Sequence, residues 1–120
     1  EFMTSLRSNP PLPSLLIMDL LAPGEGGIAV LKELQRDPRL RHLPVVMMAV
    51  ASTPEDVART YTLGARSFIE KPLTFGDQVR MVGVLLQYWT DAVVLPELED
   101  AFERRDPAAF SAAPVDVAAL

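Results

Sequence analysis

The chain has no cysteine and a single histidine, His42, among its 120 residues. Disulfide frameworks, thiolate-ligated zinc and cysteine nucleophiles are excluded, and one imidazole does not build a histidine-rich metal centre. Basic charge is in deficit: eleven Lys and Arg stand against sixteen Asp and Glu, a formal net charge of −5. A nucleic-acid binder carries the opposite footprint, so nucleic acid is not an expected partner. Long apolar runs are also missing. The longest, 45–51, falls far short of the ~18 residues that suggest a membrane span. The first ten residues are mostly polar and end in Pro10, unlike a secretory leader. No membrane partner is expected, and the expected location is cytoplasmic.

What remains suits one small domain. Hydrophobic residues make up 49% and charged residues 22%, enough apolar material for a core and too little charge for a disordered polyelectrolyte. Glu1-Phe2 ahead of Met3 reads as an expression scar, and 1–13, with its prolines, as scar and linker. Leu15-Leu16-Ile17-Met18 runs apolar into Asp19, and a second apolar run follows Pro44; short apolar runs between turn signals read as buried parallel strands. Ser67-Phe68-Ile69 is a shorter third candidate, ending at Glu70-Lys71-Pro72. Between these runs the apolar spacing becomes helical. Thr53, followed by Pro54 and with Asp56 three residues on, has the form of an N-cap, and Gly64 that of a C-terminal cap. Thr74 opens the longest pattern, with apolar residues at Phe75, Val79, Val82, Leu86, Trp89 and Val93 as its expected core face. These readings place strands near 14–19, 44–50 and 66–70, and helices near 28–36, 54–63 and 74–93. Strand–helix alternation of this kind means α/β with a parallel sheet and right-handed crossovers. A charged segment, 97–105, is a candidate short helix, and 107–120 is Ala- and Pro-rich with no element expected.

In such sheets ligands bind outside the carboxyl ends of the strands. Three polar features fall there: Asp19, the Ala51-Ser52-Thr53 corner and Glu70-Lys71-Pro72. A carboxylate and an ammonium on one rim read blandly as solvated strand-end charges. Their joint spacing favours a site. Pro23 and Gly27 follow Asp19 by four and eight residues, Gly64-Ala65 leads to Phe68, and Lys71-Pro72 lies 71 − 19 = 52 residues beyond the Asp.

On these residues 14–96 resembles the receiver domain of bacterial two-component response regulators. The text from Asp37 to Pro44, and Tyr88-Trp89, are more specifically similar to phytochrome-associated single-domain regulators. The resemblance implies a partial flavodoxin-like fold, a doubly wound parallel sheet. It makes Asp19 the phospho-acceptor, Lys71 the phosphate contact, and Ala49 and Phe68 the switch positions. It implies a Mg²⁺ ligated by Asp19 and the Leu21 backbone carbonyl. The expected partner is a sensor histidine kinase, phytochrome among the candidates. The output is a protein contact rather than catalysis, and a homo-oligomer is expected, with Trp89, Val93 and Leu95 as the dimer contact. Two departures are plain. Ala49 lacks the hydroxyl that the family places at the end of that strand. The family also has a strand–helix–strand–helix stretch and an acidic pair ahead of the acceptor strand, whereas eighteen residues precede Asp19. The expectation is thus a receiver at 14–96 without its N-terminal part, Mg²⁺ binding weakly. The strand ending at Asp19 becomes a bare edge prone to self-association, and 97–120 forms a C-terminal extension. The alternative is a degenerate receiver serving as a phosphorylation-independent dimerisation or interaction module. An Asp-nucleophile phosphatase of the haloacid-dehalogenase kind is disfavoured, because Leu21 stands where its second Asp belongs.

Overall fold

The computed structural model describes residues 6, 12–21, 26–96 and, for the backbone, 115–118. The expected loop at 22–25, most of 1–13 and the segment 97–105 lie outside the described residues. The elements run β1 (Leu15–Asp19), α1 (Gly26–Arg36), β2 (Val45–Ala49), α2 (Pro54–Thr62), β3 (Ser67–Glu70), α3 (Phe75–Gln87), a π-helical turn (Tyr88–Ala92) and β4 (Val115–Ala118). The strands form one sheet in the order β3-β2-β1-β4, and every pairing is parallel. This is the α/β architecture expected from the alternation.

The continuous apolar runs are explained by cover on both faces of the sheet. Leu16 and Met18 of β1, with Val45 and Met47 of β2, pack on one face against Val30, Leu31 and Leu34 of α1. Their neighbours in sequence, Leu15, Ile17, Val46 and Met48, pack on the other against Leu85 and Trp89. Strand side chains alternate sides, so a strand buried on both sides has no polar position to spare. Caps set the helix starts. Thr53 accepts from the Asp56 N–H while Asp56 accepts from the Thr53 N–H, a closed capping box ahead of Pro54. Thr74 accepts from the Asp77 N–H in the same way at α3. Gly64, at φ +102°, makes the turn after α2 that an L side chain resists.

Two expectations are corrected. The strand ending at Asp19 is not an edge: β4 pairs with it over four positions, Leu15 opposite Val115 to Met18 opposite Ala118. The segment 107–120 therefore contributes an element where none was expected. The expected core stripe of the last helix holds only over its C-terminal half: Leu86, Trp89 and Val93 pack on the core, while Phe75 is 81% exposed and Val79 56%. Leu85, outside that stripe, is buried beside Trp89. The helix is α-helical to Gln87 and widens over Tyr88–Ala92, ending within one residue of the expected 93, with the Val93 N–H bonding to the Tyr88 carbonyl.

Candidate functional site

The carboxyl ends of β1, β2 and β3 bring together the residues singled out from the sequence. Register places Asp19 beside Met48 and Ala49 beside Glu70. The ladder continues past the strand ends: the Leu20 N–H bonds to the Met48 carbonyl and the Lys71 N–H to the Ala49 carbonyl, each at 2.7 Å. Those bonds aim both charged side chains over the end of β2. Lys71 Nζ donates to Asp19 Oδ2 and forms an ion pair with it. The Lys71 side chain is 10% exposed and that of Asp19 15%, so the pair faces solvent through a narrow opening. Asp19 Oδ1 accepts from the Leu21 N–H at 2.8 Å, an Asx turn that orients the carboxylate. The Leu21 side chain is exposed, which leaves its backbone as the part that serves the site.

Supporting residues hold this rim in place. Gly27 packs the start of α1 directly onto the end of β1, and its N–H donates to the Leu20 carbonyl at 2.9 Å. Gln78 Nε2 donates to the Pro72 carbonyl at 2.9 Å, tying the Lys71-Pro72 loop to α3. The Tyr61 hydroxyl accepts from the Phe68 N–H at 3.1 Å. Sequence reasoning singled out Gly27 only as a spacing match and missed the roles of Gln78 and Tyr61. A polar residue in the first turn of a helix carries no signal of what it will reach across a loop.

The expected switch positions lie on adjacent strands, two residues apart in register. Ala49 is buried at the end of β2, and Phe68 is partly buried against the α1 face of the sheet. Trp89, Val93 and Leu95, expected at a dimer contact, pack against the chain's own core on the α3 face. Met48, Lys71, Phe75, Gln78, Val79, Met81 and Val82 line a cavity of about 280 Å³ beside the ion pair.

Among the described residues the donor set is incomplete for a resident Mg²⁺. Among the described residues no group of three His, Cys, Asp or Glu side chains is placed to hold a metal ion. Asp19 offers one carboxylate with both oxygens already engaged, whereas Mg²⁺ asks for a near-octahedral oxygen shell built on carboxylates and phosphate.

A parallel α/β sheet with an Asp–Lys pair at its carboxyl rim defines a class of signalling module, and the chain belongs to it: residues 1–83 match the response regulator receiver domain family. The chain is similar to the response regulator Rcp1 of Synechocystis, 32% identical over 88 residues that cover 73% of this chain and 60% of Rcp1. Among solved structures, that of the phosphorylated cyanobacterial phytochrome response regulator RcpA gives a TM-score of 0.75 at 28% identity, covering 79% of this chain and 71% of RcpA. The Mn²⁺-bound form of Rcp1 gives 0.73 at 29% identity, covering 80% and 73%. The chain spans 50% and 60% of the length of the first two curated relatives it matches. No described helix is long and apolar enough to cross a membrane.

Proposed function

We propose that Asp19 is a phospho-acceptor. The carrying observation is the Lys71 ammonium seated on the Asp19 carboxylate at the carboxyl rim of the sheet. A carboxylate oxygen of Asp19 attacks the phosphorus of a phosphohistidine on a sensor histidine kinase. The new P–O bond forms as the P–N bond breaks, and the bonding pair leaves on the imidazole nitrogen, which takes up a proton. Lys71 then turns from the carboxylate to the phosphoryl oxygens, where its point charge offsets the added negative charge. The chain is a substrate in this step and turns nothing over. Similarity to RcpA and Rcp1 favours a phytochrome-type kinase as donor, and a protein contact as the output.

Intact mass after incubation with acetyl phosphate and Mg²⁺ tests the proposal. One phosphoryl increment is expected on the parent chain, none on Asp19→Asn, and a slower gain on Lys71→Ala. An unmodified parent chain overturns it. A second reading has its own support: Ala49 has no hydroxyl, and the described residues lack an acidic cluster. Under that reading the chain is an interaction module that binds its partner equally well with Asp19 or with Asn at that position.

A further inference from the structure

The family match ends at residue 83, yet one strand of the sheet comes from beyond it. Val115–Ala118 lie parallel to β1 in unbroken register. The strand they join is built as a central strand. Leu15, Leu16 and Ile17 are fully buried and Met18 is 1% exposed, so both faces of β1 are closed to water. β2 takes only one of its hydrogen-bonding edges. The other edge carries a row of N–H and C=O groups that need partners, and an open apolar edge is a template for any extended segment. β4 is only four residues long and stands at the margin of the sheet with a single neighbour.

We propose that the outer edge of β1 is a strand-acceptor site for the segment Val115–Ala118, filled in cis in the free chain and able to capture the same sequence in trans. The recognition mode is strand addition: backbone hydrogen bonds supply affinity, and residue type supplies preference. Three observations specify the occupant. Its direction is parallel, its length matches the four apolar positions 15–18, and its residues include β-branched Val at 115 and 117, which favour a strand. The paired register of β4 ends opposite Met18, one residue short of Asp19.

Successive residues of a strand point their N–H groups to opposite edges, so replacing two adjacent residues by Pro removes a donor to β1 whichever way the strand is turned. The full-length Asp116→Pro/Val117→Pro chain is titrated into a fluorescein-labelled peptide of residues 112–120, and anisotropy is followed. The parent chain and a scrambled peptide run beside it. The variant is expected to bind the native-order peptide. The parent is expected to bind it at least about tenfold more weakly, because a tail seated nine-tenths of the time leaves a tenth of the chains competent. The scrambled peptide is expected to bind neither. Equal binding to variant and parent overturns the proposal, as does equal binding of the scrambled peptide. Failure of a variant that keeps the parent's far-UV circular dichroism also overturns it. Where the variant loses that signal, the unaltered chain decides. A peptide of residues 112–120 with a photoreactive phenylalanine at position 117 is irradiated with it in excess. Cross-links mapped to β1 uphold the proposal; cross-links elsewhere, or none, overturn it.

Discussion

Gly27 stands where the start of α1 meets the end of β1, and Gly27→Ala tests how closely the site is packed. A Cβ built there lies 2.9 Å from the Asp19 carbonyl oxygen, 2.9 Å from the Met47 sulfur and 3.1 Å from the Leu20 Cα. The sulfur ends a flexible side chain and can swing aside. The two backbone atoms yield only if the end of β1 or the helix moves. Overpacking of this kind costs about 1–3 kcal/mol, and the preference of a helix for Ala over Gly offsets about 0.5–1 kcal/mol of it. The net loss is about 0–2.5 kcal/mol, centred on about 1.3 kcal/mol, which lowers the melting temperature by roughly 5–10 °C for a domain of this size. Gly83, within α3, is the matched control: nothing lies within 4 Å of its built Cβ. There the same substitution has only the propensity gain and should raise the melting temperature by a few degrees. Thermal unfolding of parent, Gly27→Ala and Gly83→Ala by circular dichroism measures both signs. Because the displaced atoms belong to Asp19 and Leu20, the initial rate of phosphorylation by acetyl phosphate should also fall for Gly27→Ala and hold for Gly83→Ala. An equal rise in melting temperature for the two variants would refute the close approach of α1 to the acceptor strand.

Three further outcomes follow from the packing. Leu85, 7% exposed, should cost about 2–4 kcal/mol on truncation to Ala, while Phe75→Ala on the exposed side of the same helix should stay within about 0.5 kcal/mol; urea unfolding separates them, and the reverse order would mean the heptad-like stripe is the core face after all. Thr53→Ala removes one half of a closed capping box and should cost about 1 kcal/mol, with Thr53→Asn recovering most of it. Gln78→Ala frees the Pro72 carbonyl and should slow phosphorylation while unfolding free energy changes by no more than about 1.5 kcal/mol; an unchanged rate would remove Gln78 from the group that positions Lys71.

The two long strands and three helices were readable because their signals are local and strong. A run such as Leu15-Leu16-Ile17-Met18 has no polar position, which only two-sided burial explains, and Thr53-Pro54 with Asp56 forms a cap from side chains three residues apart. The Asp–Lys pair was readable as two strand-end residues at a recognisable spacing, though its contact depends on bonds from Leu20 and Lys71 to β2. What escaped was non-local. Val115–Ala118 is four residues long, includes an Asp, and is a strand because Leu15–Met18 lie beside it, a hundred positions earlier in the chain. The N-terminal end of the stripe, Phe75 and Val79, failed for a related reason. Periodicity says which residues share a face of a helix; it does not say that a partner covers the face. Here the sheet meets the side bearing Leu85 and Trp89, and Phe75 and Val79 are left in solvent.

A strand beside the acceptor strand can do two separable things: close the backbone edge, and bring side chains to the rim. The resemblance led to an expectation that both would be missing, and the structure divides them. β4 closes the edge of β1. Its acidic position, 116, pairs with Leu16, three residues and so about 10 Å of strand before the register of Asp19. Backbone pairing supplies the affinity for closure, and the order of strand-favouring residues supplies the preference for one segment over another. Metal ligation demands a carboxylate at one register position, and a shift of three residues forfeits it. A chain arranged this way keeps the packed centre of its sheet and its Asp–Lys pair while the acidic half of the site has no counterpart among the described residues. Folding and phosphoryl chemistry should therefore respond differently to the tail. Proline substitution within β4 should lower the melting temperature. Acetyl-phosphate labelling of the fraction that remains folded should change much less, since the ion pair and its ladder bonds are made by β1, β2 and β3 alone. A parallel loss of both in step with the folded fraction's own rate would show that β4 positions the acceptor as well as covering its strand.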